Sequence, residues 1–272
     1  MSLEIVVCVK QVPASTRVRL NAATNTIIRE GIEMMLNPFD AYALEAALRI
    51  KTSMGGRVTV ISMGIPSAAE ILRFALGLGA DRAVLLSDKR FAGADTLATA
   101  YSLAAAVRKL GTWDLIFCGR QAVDGDTAQV GPSLAQKLGI PHLTAVSRLE
   151  FLSPQRILCE KMTDEGYQEV AMELPALLTV VMEINTPRFL SLEGYLETLG
   201  AVVEIWGADD LDLDPSRIGY DGSATWVMST AAAERCKNGK EIDGSPQEVA
   251  AKILETLTQQ GWQSLTSEDR HE

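Results

Sequence analysis

The sequence contains little of what hydrolytic or metal-dependent chemistry requires. Its 272 residues include only two histidines, His142 and His271, and four cysteines that form neither a Cys-x-x-Cys pair nor a zinc-ligand spacing. Ser133 follows Gly131-Pro132 on a predicted helix rather than standing in a nucleophile elbow, and no Gly-x-x-x-x-Gly-Lys-Ser/Thr phosphate loop occurs. We therefore expect no catalytic side chain and no metal site.

Long apolar runs are also missing. No stretch reaches the roughly 18 apolar residues that a membrane-spanning helix needs. The N-terminus runs directly into an apolar strand, without the basic region or cleavage site of a signal peptide. Cysteines without a disulfide-like spacing suit a reducing compartment. We expect a soluble, cytoplasmic protein without stable membrane insertion.

Positive charge is scarce, and the resulting negative charge is unevenly distributed. Lys and Arg number 25 against 35 Asp and Glu, and this formal net charge of −10 argues against a nucleic-acid partner. Residues 1–190 contain 19 basic and 19 acidic side chains, whereas residues 191–272 contain 6 basic and 16 acidic ones. This asymmetry predicts a functional boundary near residue 190. Residues 191–272 would then form an acidic arm rather than a self-sufficient domain.

Short apolar runs alternate with helical patterns over the first 140 residues. Continuous runs of Val, Ile and Leu, typical of strands buried on both faces of a parallel sheet, occur at 5–9, 58–62, 83–87 and 115–118. Apolar residues at helical spacing separate them at 40–51, 67–78, 96–110 and 127–138. The alternation predicts an α/β fold with a doubly wound parallel sheet.

The pattern changes after Pro141. Strand-like segments joined by turns occur at 149–158, 167–172 and 176–182, and a final helix is predicted at 245–259. These strands predict an antiparallel addition at the edge of the sheet.

Two loops follow predicted strands and open predicted helices. This arrangement presents backbone N–H groups and a positive helix end to an anion. The first loop runs from Gly93 to Thr96 and the second from Gly119 to Pro132. Each is equally an ordinary capped helix start, with Asp126 or Thr127 as the capping residue in the second loop. Together they would suit a pyrophosphate, whereas one loop would suit a single phosphate.

Two aspartates in the second loop complicate this interpretation. Asp124 and Asp126 would repel a phosphate. We therefore expect the loop amides and Thr127 to meet the phosphate, while the carboxylates cap backbone groups or bind ribose hydroxyls.

The segment from Asn37 to Asp40 is a third candidate element. Pro38 makes it rigid, so that it can offer backbone edges to an adenine, although Asn-Pro is also a common turn. Met63, at the end of the second predicted strand, should face the same crevice as these loops. Cys8 and Cys118 lie in apolar strands, where burial without reactivity is expected.

These segments together carry a family resemblance. VKQVP at 9–13, NPFD at 37–40 with EAA at 45–47, GADRA at 79–83, and the loop at 119–132 occur in this order. In this combination the chain closely resembles the β subunit of electron transfer flavoproteins, including the FixA branch. The resemblance implies an adenine-nucleotide-hydrolase-like α/β fold without hydrolase activity. It also implies obligate pairing with an α subunit that carries its own FAD and on which residues 191–272 pack.

The resemblance implies one of two nucleotides for this chain itself. The respiratory type holds AMP as a structural ligand, whereas the electron-bifurcating branch holds a second, redox-active FAD. The segments at 93–99 and 124–127 resemble the bifurcating branch, so we expect FAD, with AMP as the alternative. The expected cofactor-binding residues are Cys8, Asn37, Pro38, Phe39, Asp40, Met63, Gly93, Ala94, Asp95, Thr96, Thr99, Gln121, Ala122, Val123, Asp124, Gly125, Asp126, Thr127, Ala128, Gln129, Val130, Gly131 and Pro132.

The resemblance also implies partners. In the bifurcating branch, electrons from NADH pass to ferredoxin or flavodoxin and, through the α-subunit FAD, to an acyl-CoA dehydrogenase. Oxidoreductase activity is then expected only in the complex with the α subunit. In the alternative, the chain only scaffolds the α-subunit FAD and docks the dehydrogenase. A second alternative is a free-standing nucleotide-binding protein of the universal-stress type, which shares the α/β core. The acidic arm argues against it, because such a protein would not need one.

Residues 185–192 resemble the family's partner-recognition segment, in which an exposed leucine anchors in the dehydrogenase. The expected partner-binding residues are Leu190, Leu192 and Tyr195. The alternative is a core leucine in an ordinary turn.

Overall fold

The computed structural model describes residues 2–14, 19–21, 26–28, 33–228, 239 and 241–259, with the backbone alone for 19–21 and 26–28. Its strands are β1 (Leu3–Cys8), β2 (Gln11–Pro13), β3 (Arg19–Asn21), β4 (Thr26–Ile28), β5 (Met34–Leu36), β6 (Gly56–Met63), β7 (Arg82–Leu86), β8 (Leu115–Gly119), β9 (His142–Ser153), β10 (Arg156–Thr163), β11 (Gly166–Glu173), β12 (Ala176–Val180) and β13 (Glu204–Trp206). Its α helices are α1 (Pro38–Met54), α2 (Ala69–Gly77), α3 (Thr96–Leu110), α4 (Val130–Leu138), α5 (Leu192–Gly200) and α6 (Pro246–Gln259).

Nine of the described strands form one sheet, in the order β11-β10-β9-β12-β8-β1-β6-β7-β13. The pairs from β9 to β13 in this order are parallel, whereas β9, β10 and β11 pair in antiparallel fashion. The chain proceeds from β1 to β6 and β7 on one side and returns to β8 on the other. These pairings confirm the predicted doubly wound sheet with an antiparallel addition, and they place its topological switch point between β1 and β8.

Two of the predicted strands after Pro141 are wrong in detail. The segment at 149–158 is two strands, β9 and β10, because Pro154 and Gln155 form the turn between them. The segment at 176–182 is not part of the edge addition. It contains β12, which lies parallel between β8 and β9 and is buried along its whole length. Its continuous apolar run suits this position, since such a strand is covered on both faces.

Helices cover both faces of the sheet, and the side chains of β1 show how. Ile5 and Val7 belong to the core shared with α1 and α2, whereas Val6 and Cys8 belong to the core shared with α3 and α4. This alternation follows from the two-residue period of a strand. Burial of each Val, Leu or Ile side chain contributes roughly 1.5–3 kcal/mol, so the two apolar layers hold the strand ends in place.

The first compact unit of the chain extends beyond the predicted boundary. It comprises Met1–Thr230, and a second unit comprises Ala231–Glu272. In the first unit, β13 pairs with β7 and α5 packs on α2. The division of function at residue 190 therefore remains a prediction that would separate parts of one folded body. No helix within the described ranges is long and apolar enough to cross a membrane.

Candidate functional site

A cleft of about 960 Å³ opens at the carboxyl ends of the central parallel strands. Cys8 and Met63, the last residues of β1 and β6, line it together with Gly119 at the end of β8. Thr96 and Val130, the first residues of α3 and α4, complete its walls. Ligands of open α/β sheets bind at this edge, outside the switch point. The volume lies near the upper end of the ~300–1,000 Å³ typical of ligand sites.

A buried carboxylate joins the two strands at the base of the cleft. Asp40 accepts hydrogen bonds from the backbone N–H groups of Lys10 at 2.8 Å and Gly119 at 3.2 Å. Burial raises the pKa of Asp40 to about 7, although these bonds and one from the Asn37 side chain oppose the rise. Asp40 therefore ties α1 to the ends of β1 and β8 and titrates near neutral pH.

Asn37 holds the second loop rather than lining the cleft. Its buried amide donates to the carbonyl oxygen of Gln121 at 2.8 Å and accepts from the N–H of Val123 at 3.2 Å. A buried amide engaged on both sides fixes the backbone that it contacts. The predicted adenine-facing turn thus positions the loop at 121–123 and contributes Asp40 to the cleft wall.

The loop from Gly119 to Gln129 has an unusual backbone. Asp126 and Ala128 have φ angles of 53° and 54°, in the left-handed region that costs a residue with a side chain about 1–3 kcal/mol. Gln129 returns to the right-handed region, and α4 begins only at Val130. The helix predicted at 127–138 starts three residues late because left-handed residues cannot continue into an α helix. A left-handed residue followed by a right-handed one, as at Ala128 and Gln129, turns successive N–H groups towards one concave surface.

The N-terminus of α4 is open to the cleft. No side chain caps it, and its first residues, Val130 and Gly131, line the cleft. A Cβ at Gly131 would lie 2.5 Å from the methyl group of Thr179, so only glycine allows this close packing of α4 on β12. Free amides at a positive helix end form an anion site.

The two aspartates of this loop are already engaged. Asp124 forms an ion pair with the ammonium group of Lys10 at 2.6 Å, and Asp126 accepts a hydrogen bond from the side-chain amide of Gln121. Their negative charge is thus partly compensated before any ligand binds, which reduces the repulsion expected from the sequence.

The start of α3 differs from that of α4, because Asp95 occupies it. One carboxylate oxygen of Asp95 accepts from the N–H groups of Leu97 at 2.9 Å and Ala98 at 3.0 Å. The structure therefore supports the capped-start interpretation of this loop rather than a second open anion site. Thr96 and Thr99 still face the cleft and offer hydroxyl groups.

Asp95 also binds a distant segment that the sequence analysis missed. Its second oxygen accepts from the N–H of Ala224 at 2.9 Å and from the N–H and hydroxyl of Thr225 at 3.0 and 3.1 Å. Burial opposes ionisation, but the N–H groups of Ala98, Thr225 and Ala224 and the Thr225 hydroxyl outweigh it and lower the pKa of Asp95. The segment at 223–225 is thereby held against the cleft wall.

The predicted residues are brought together around this one cleft. The members of the predicted set that line it are Cys8, Asp40, Met63, Gly93, Ala94, Asp95, Thr96, Thr99, Gln121, Ala122, Gly125, Thr127, Ala128, Gln129, Val130 and Gly131. The remaining members, which do not line it, are Asn37, Pro38, Phe39, Val123, Asp124, Asp126 and Pro132. Their role in cofactor binding remains a prediction.

Further lining residues were not predicted. Lys10, Asp88 and Arg120 follow the ends of β1, β7 and β8, and Phe91 and Leu103 add apolar surface. Lys10, Asp88 and Arg120 lie one or two residues after buried strands, and this position was the signal that could have identified them.

Cys8 and Cys118 lie side by side at the floor of the cleft. They are register partners in β1 and β8, and both are buried. The neighbouring Cys8 thiol, burial and the charge of Asp40 together raise the pKa of Cys118 well above its ordinary value. This agrees with the expectation of unreactive thiols at these positions.

Comparison with known proteins identifies the family. The family model described as "Electron transfer flavoprotein domain" matches residues 24–211. The electron transfer flavoprotein subunit beta of Clostridium acetobutylicum is 44% identical over 258 residues, which cover 95% of this chain and 99% of that protein. The chain belongs to the electron transfer flavoprotein family, in its β-subunit branch.

Other relatives of this electron transfer flavoprotein chain span two named groups. The caffeyl-CoA reductase-Etf complex subunit CarD of Acetobacterium woodii is 43% identical over 94% of this chain and 98% of its own length. Protein FixA of Azorhizobium caulinodans is 44% identical over 93% of this chain and 92% of its own length. Family membership confirms the predicted resemblance and implies an α-subunit partner together with electron-transfer partners.

The predicted partner-recognition segment of this flavoprotein chain lies apart from the cleft residues in sequence. Leu192 begins α5 and is 76% exposed, and Tyr195 on the same helix is 52% exposed. Leu190 is half-buried, since its side chain packs where α5 meets Gly77 of α2. Phe189, which was not predicted, is 97% exposed. Large exposed apolar side chains in one short segment are typical of interaction surfaces.

Proposed function

We propose that this chain is the β subunit of an electron-bifurcating electron transfer flavoprotein and binds FAD in the cleft. In the complex with the α subunit it would pass electrons from NADH to ferredoxin or flavodoxin. A second route would lead through the α-subunit FAD to an acyl-CoA dehydrogenase. The similarity to CarD, which is named as a subunit of a caffeyl-CoA reductase-Etf complex, supports the assignment of a CoA-ester-reducing partner.

The size and extent of the cleft carry this proposal. Its 960 Å³ extend from Asp40 and Cys118 at the switch point to Thr99 and Leu103 on α3. A dinucleotide is more than twice as large as a mononucleotide, and a volume near the upper end of the usual range suits the larger ligand.

The donors around the cleft fit such a ligand. The open amides of α4 and the hydroxyl of Thr127 would hold a phosphate, and the hydroxyls of Thr96 and Thr99 would bind the second phosphate or a ribitol chain. Apolar side chains such as Phe91 and Leu103 offer a surface on which an aromatic ring system can pack. Arg120 adds positive charge for an anionic ligand, whereas the charge of Lys10 is shared with Asp124.

When bound, the flavin supplies the redox chemistry, so no side chain of this chain needs to act as an acid or nucleophile. The protein would orient the cofactor between α3 and α4 and exclude water on the side of the two cysteines. The charge of Asp40 would influence the reduction potential of the cofactor, because this carboxylate is buried and therefore weakly screened by water.

One observation favours the alternative ligand, AMP. Asp95 caps α3, so of the two helix ends predicted to bind phosphate only that of α4 is open, and a single open helix end suits one phosphate group. In that case the chain would scaffold the α-subunit FAD and dock the dehydrogenase without redox chemistry of its own.

Identification of the nucleotides released from the purified αβ complex tests the proposal. Two FAD molecules per heterodimer are expected. One FAD and one AMP per heterodimer would replace the bifurcating assignment with the structural one. A complex of Thr99→Val, which removes one hydroxyl from the cleft but retains the shape of the side chain, should lose part of the FAD. The Thr52→Val variant on α1, whose hydroxyl bonds only to the Leu48 carbonyl, serves as the matched control.

A further inference from the structure

A buried carboxylate on α1 holds the segment that leads to α5. Glu45 accepts from the Nε atom of Arg188 at 2.7 Å, from the Arg188 backbone N–H at 3.2 Å, and from the Nε atom of Arg49 at 2.7 Å. Burial opposes ionisation of Glu45, but the bonds from Arg188 and Arg49 outweigh it and lower its pKa. The carboxylate is therefore charged, buried and engaged by two guanidinium groups.

Two further α1 residues attach the same segment. Arg49 donates to the carbonyl oxygen of Thr186 at 2.9 Å, and the side-chain amide of Asn185 donates to the carbonyl oxygen of Tyr42 at 2.9 Å. Tyr42, Glu45 and Arg49 are spaced as one face of a helix. Residues 185–188 thus lie along α1, and Glu45 is the central contact.

A second attachment follows at the other end of the exposed segment. Gly194 of α5 lies directly on Gly77 of α2, because a Cβ at Gly77 would lie 2.6 Å from the carbonyl oxygen of Gly194. Phe189 and Leu192 lie in the chain between these attachments. Their side chains are 97% and 76% exposed. Two attachments only six residues apart, at Arg188 and Gly194, leave this short segment little freedom to reorient.

We propose that Glu45 is a positioning residue for partner docking: through Arg188 and Arg49 it fixes the orientation in which Phe189 and Leu192 meet the electron-transfer partner. This inference rests on the proposed function only for the identity of that partner. A buried carboxylate with two arginine partners favours one geometry, since a departure that breaks either ion pair leaves the buried charge less compensated. The exposed side chains next to Arg188 are therefore held in a defined position before a partner binds. Binding then does not have to order this segment.

Hydrogen exchange on the αβ complex tests the positioning role without any partner. In Glu45→Gln we expect the peptide spanning 189–200 to exchange about tenfold faster. The N–H groups of Gly194 and Tyr195, which bond to Ser191 at 3.0 and 2.9 Å, report on it directly. Exchange within β1 and β8 should not change. Unchanged exchange at 189–200, or faster exchange throughout the sheet, would overturn the proposal.

Electron-transfer kinetics with an acyl-CoA dehydrogenase supply the functional readout. Glu45→Gln should raise the half-saturating concentration of the partner about tenfold without changing the maximal rate. Arg188→Gln, at a half-exposed position, should act in the same direction, and Arg188→Lys should recover part of the loss. Glu4→Gln, which removes the 3.1 Å ion pair with Arg57 on β6, is the matched control.

The two hypotheses fail differently. If the wild-type complex transfers no electrons to such a partner, the proposed function fails, while the exchange experiment still decides whether Glu45 holds the segment. If the wild-type complex is active and the variants retain its half-saturating concentration, only the role of Glu45 is disproved.

Discussion

The carboxylate of Asp40 lies directly against the backbone of Gly119, and the two positions depend on each other. Asp40 accepts the Gly119 N–H at 3.2 Å, and a Cβ at position 119 would overlap this carboxylate. The contact joins α1 to the end of β8, two elements that are far apart in sequence. It therefore defines the floor of the cleft at the switch point, where the sheet topology already concentrates ligand contacts.

Gly119→Ala should destabilise the chain through this contact. The added methyl group meets the carboxylate and backbone of Asp40 rather than a flexible side chain, so the strands must shift. Overpacking of this kind costs about 1–3 kcal/mol, which urea unfolding would measure as a lower midpoint. Gly200→Ala, at a position with no atom within 4 Å of the added Cβ, is the control. Equal midpoints for the two variants would contradict the prediction.

Asp40 should also make stability depend on pH. Its pKa in the folded state is about 7, above the ordinary value of 3.8, so the folded state binds a proton more tightly than the unfolded state. The contribution is complete below pH 3.8, decreases as the pH rises towards 7 and is constant above that. The slope in this window is at most about 1.4 kcal/mol per pH unit.

Comparison with Asp40→Asn isolates this contribution, because the amide does not titrate. The free energy of unfolding of both proteins would be measured from pH 4 to pH 8. The difference between wild type and variant should decrease between pH 4 and 7 and then level off. A difference that is independent of pH would show that Asp40 keeps an ordinary pKa in the folded state.

Asp95→Asn should loosen the segment at 223–225 while leaving α3 capped. The amide oxygen can still accept from Leu97 and Ala98, but its NH2 group would face the donors of Ala224 and Thr225. Asp95→Ala removes the cap as well and should cost about 1 kcal/mol more. Faster hydrogen exchange at 220–228 in both variants, with a lower melting temperature mainly in Asp95→Ala, is the expected result.

Asp214→Asn provides the control for Asp95. Asp214 likewise accepts from a backbone N–H two residues on, that of Ser216 at 2.9 Å, but holds no distant segment. If it changed exchange at 220–228 as strongly as Asp95→Asn, the contacts of Asp95 with Ala224 and Thr225 would not be the cause.

The parts of the fold that could be predicted depend on local sequence patterns. Continuous Val, Ile and Leu runs identified β1, β6, β7 and β8, and the ends of parallel strands then indicated where a ligand would bind. The insertion of β12 between β8 and β9 could not be predicted, because an apolar run of five residues does not reveal its neighbours. The same limit applied to contacts across long sequence separations.

Asp95 shows this limit within the site. A capped helix start was one interpretation of the loop at 93–96, and in the structure Asp95 provides the cap. The hydrogen bonds from residues 224 and 225 to Asp95 depend on tertiary packing, and no local sequence pattern predicts them. Likewise, the late start of α4 follows from left-handed backbone at Asp126 and Ala128. Aspartate is enriched in this conformation, but alanine gives no signal of it.

The half-buried side chain of Leu190 should behave differently from its exposed neighbours. Its Cδ1 atom lies 2.9 Å from the place that a Cβ at Gly77 would occupy, so it fills the junction of α2 and α5. Leu190→Ala should lower the free energy of unfolding by about 2 kcal/mol because it leaves a cavity there. A variant of unchanged stability but impaired electron transfer would instead place Leu190 among the partner contacts, as the sequence resemblance implied.

Phe189→Ala and Leu192→Ala should weaken electron transfer to the dehydrogenase while leaving flavin content and stability unchanged. Both side chains are largely exposed, so truncation removes no internal packing, whereas an apolar anchor at an interface contributes about 2 kcal/mol or more, equivalent to at least tenfold in affinity. The measurement is the half-saturating dehydrogenase concentration. Leu152→Ala, at a half-exposed leucine of β9, controls for the loss of a surface apolar group. Because Phe189 directly follows the Arg188–Glu45 contact, a larger effect at Phe189 than at Leu192 would place the centre of the interface at that contact. Transfer kinetics unchanged in both variants would remove this segment from the docking surface altogether.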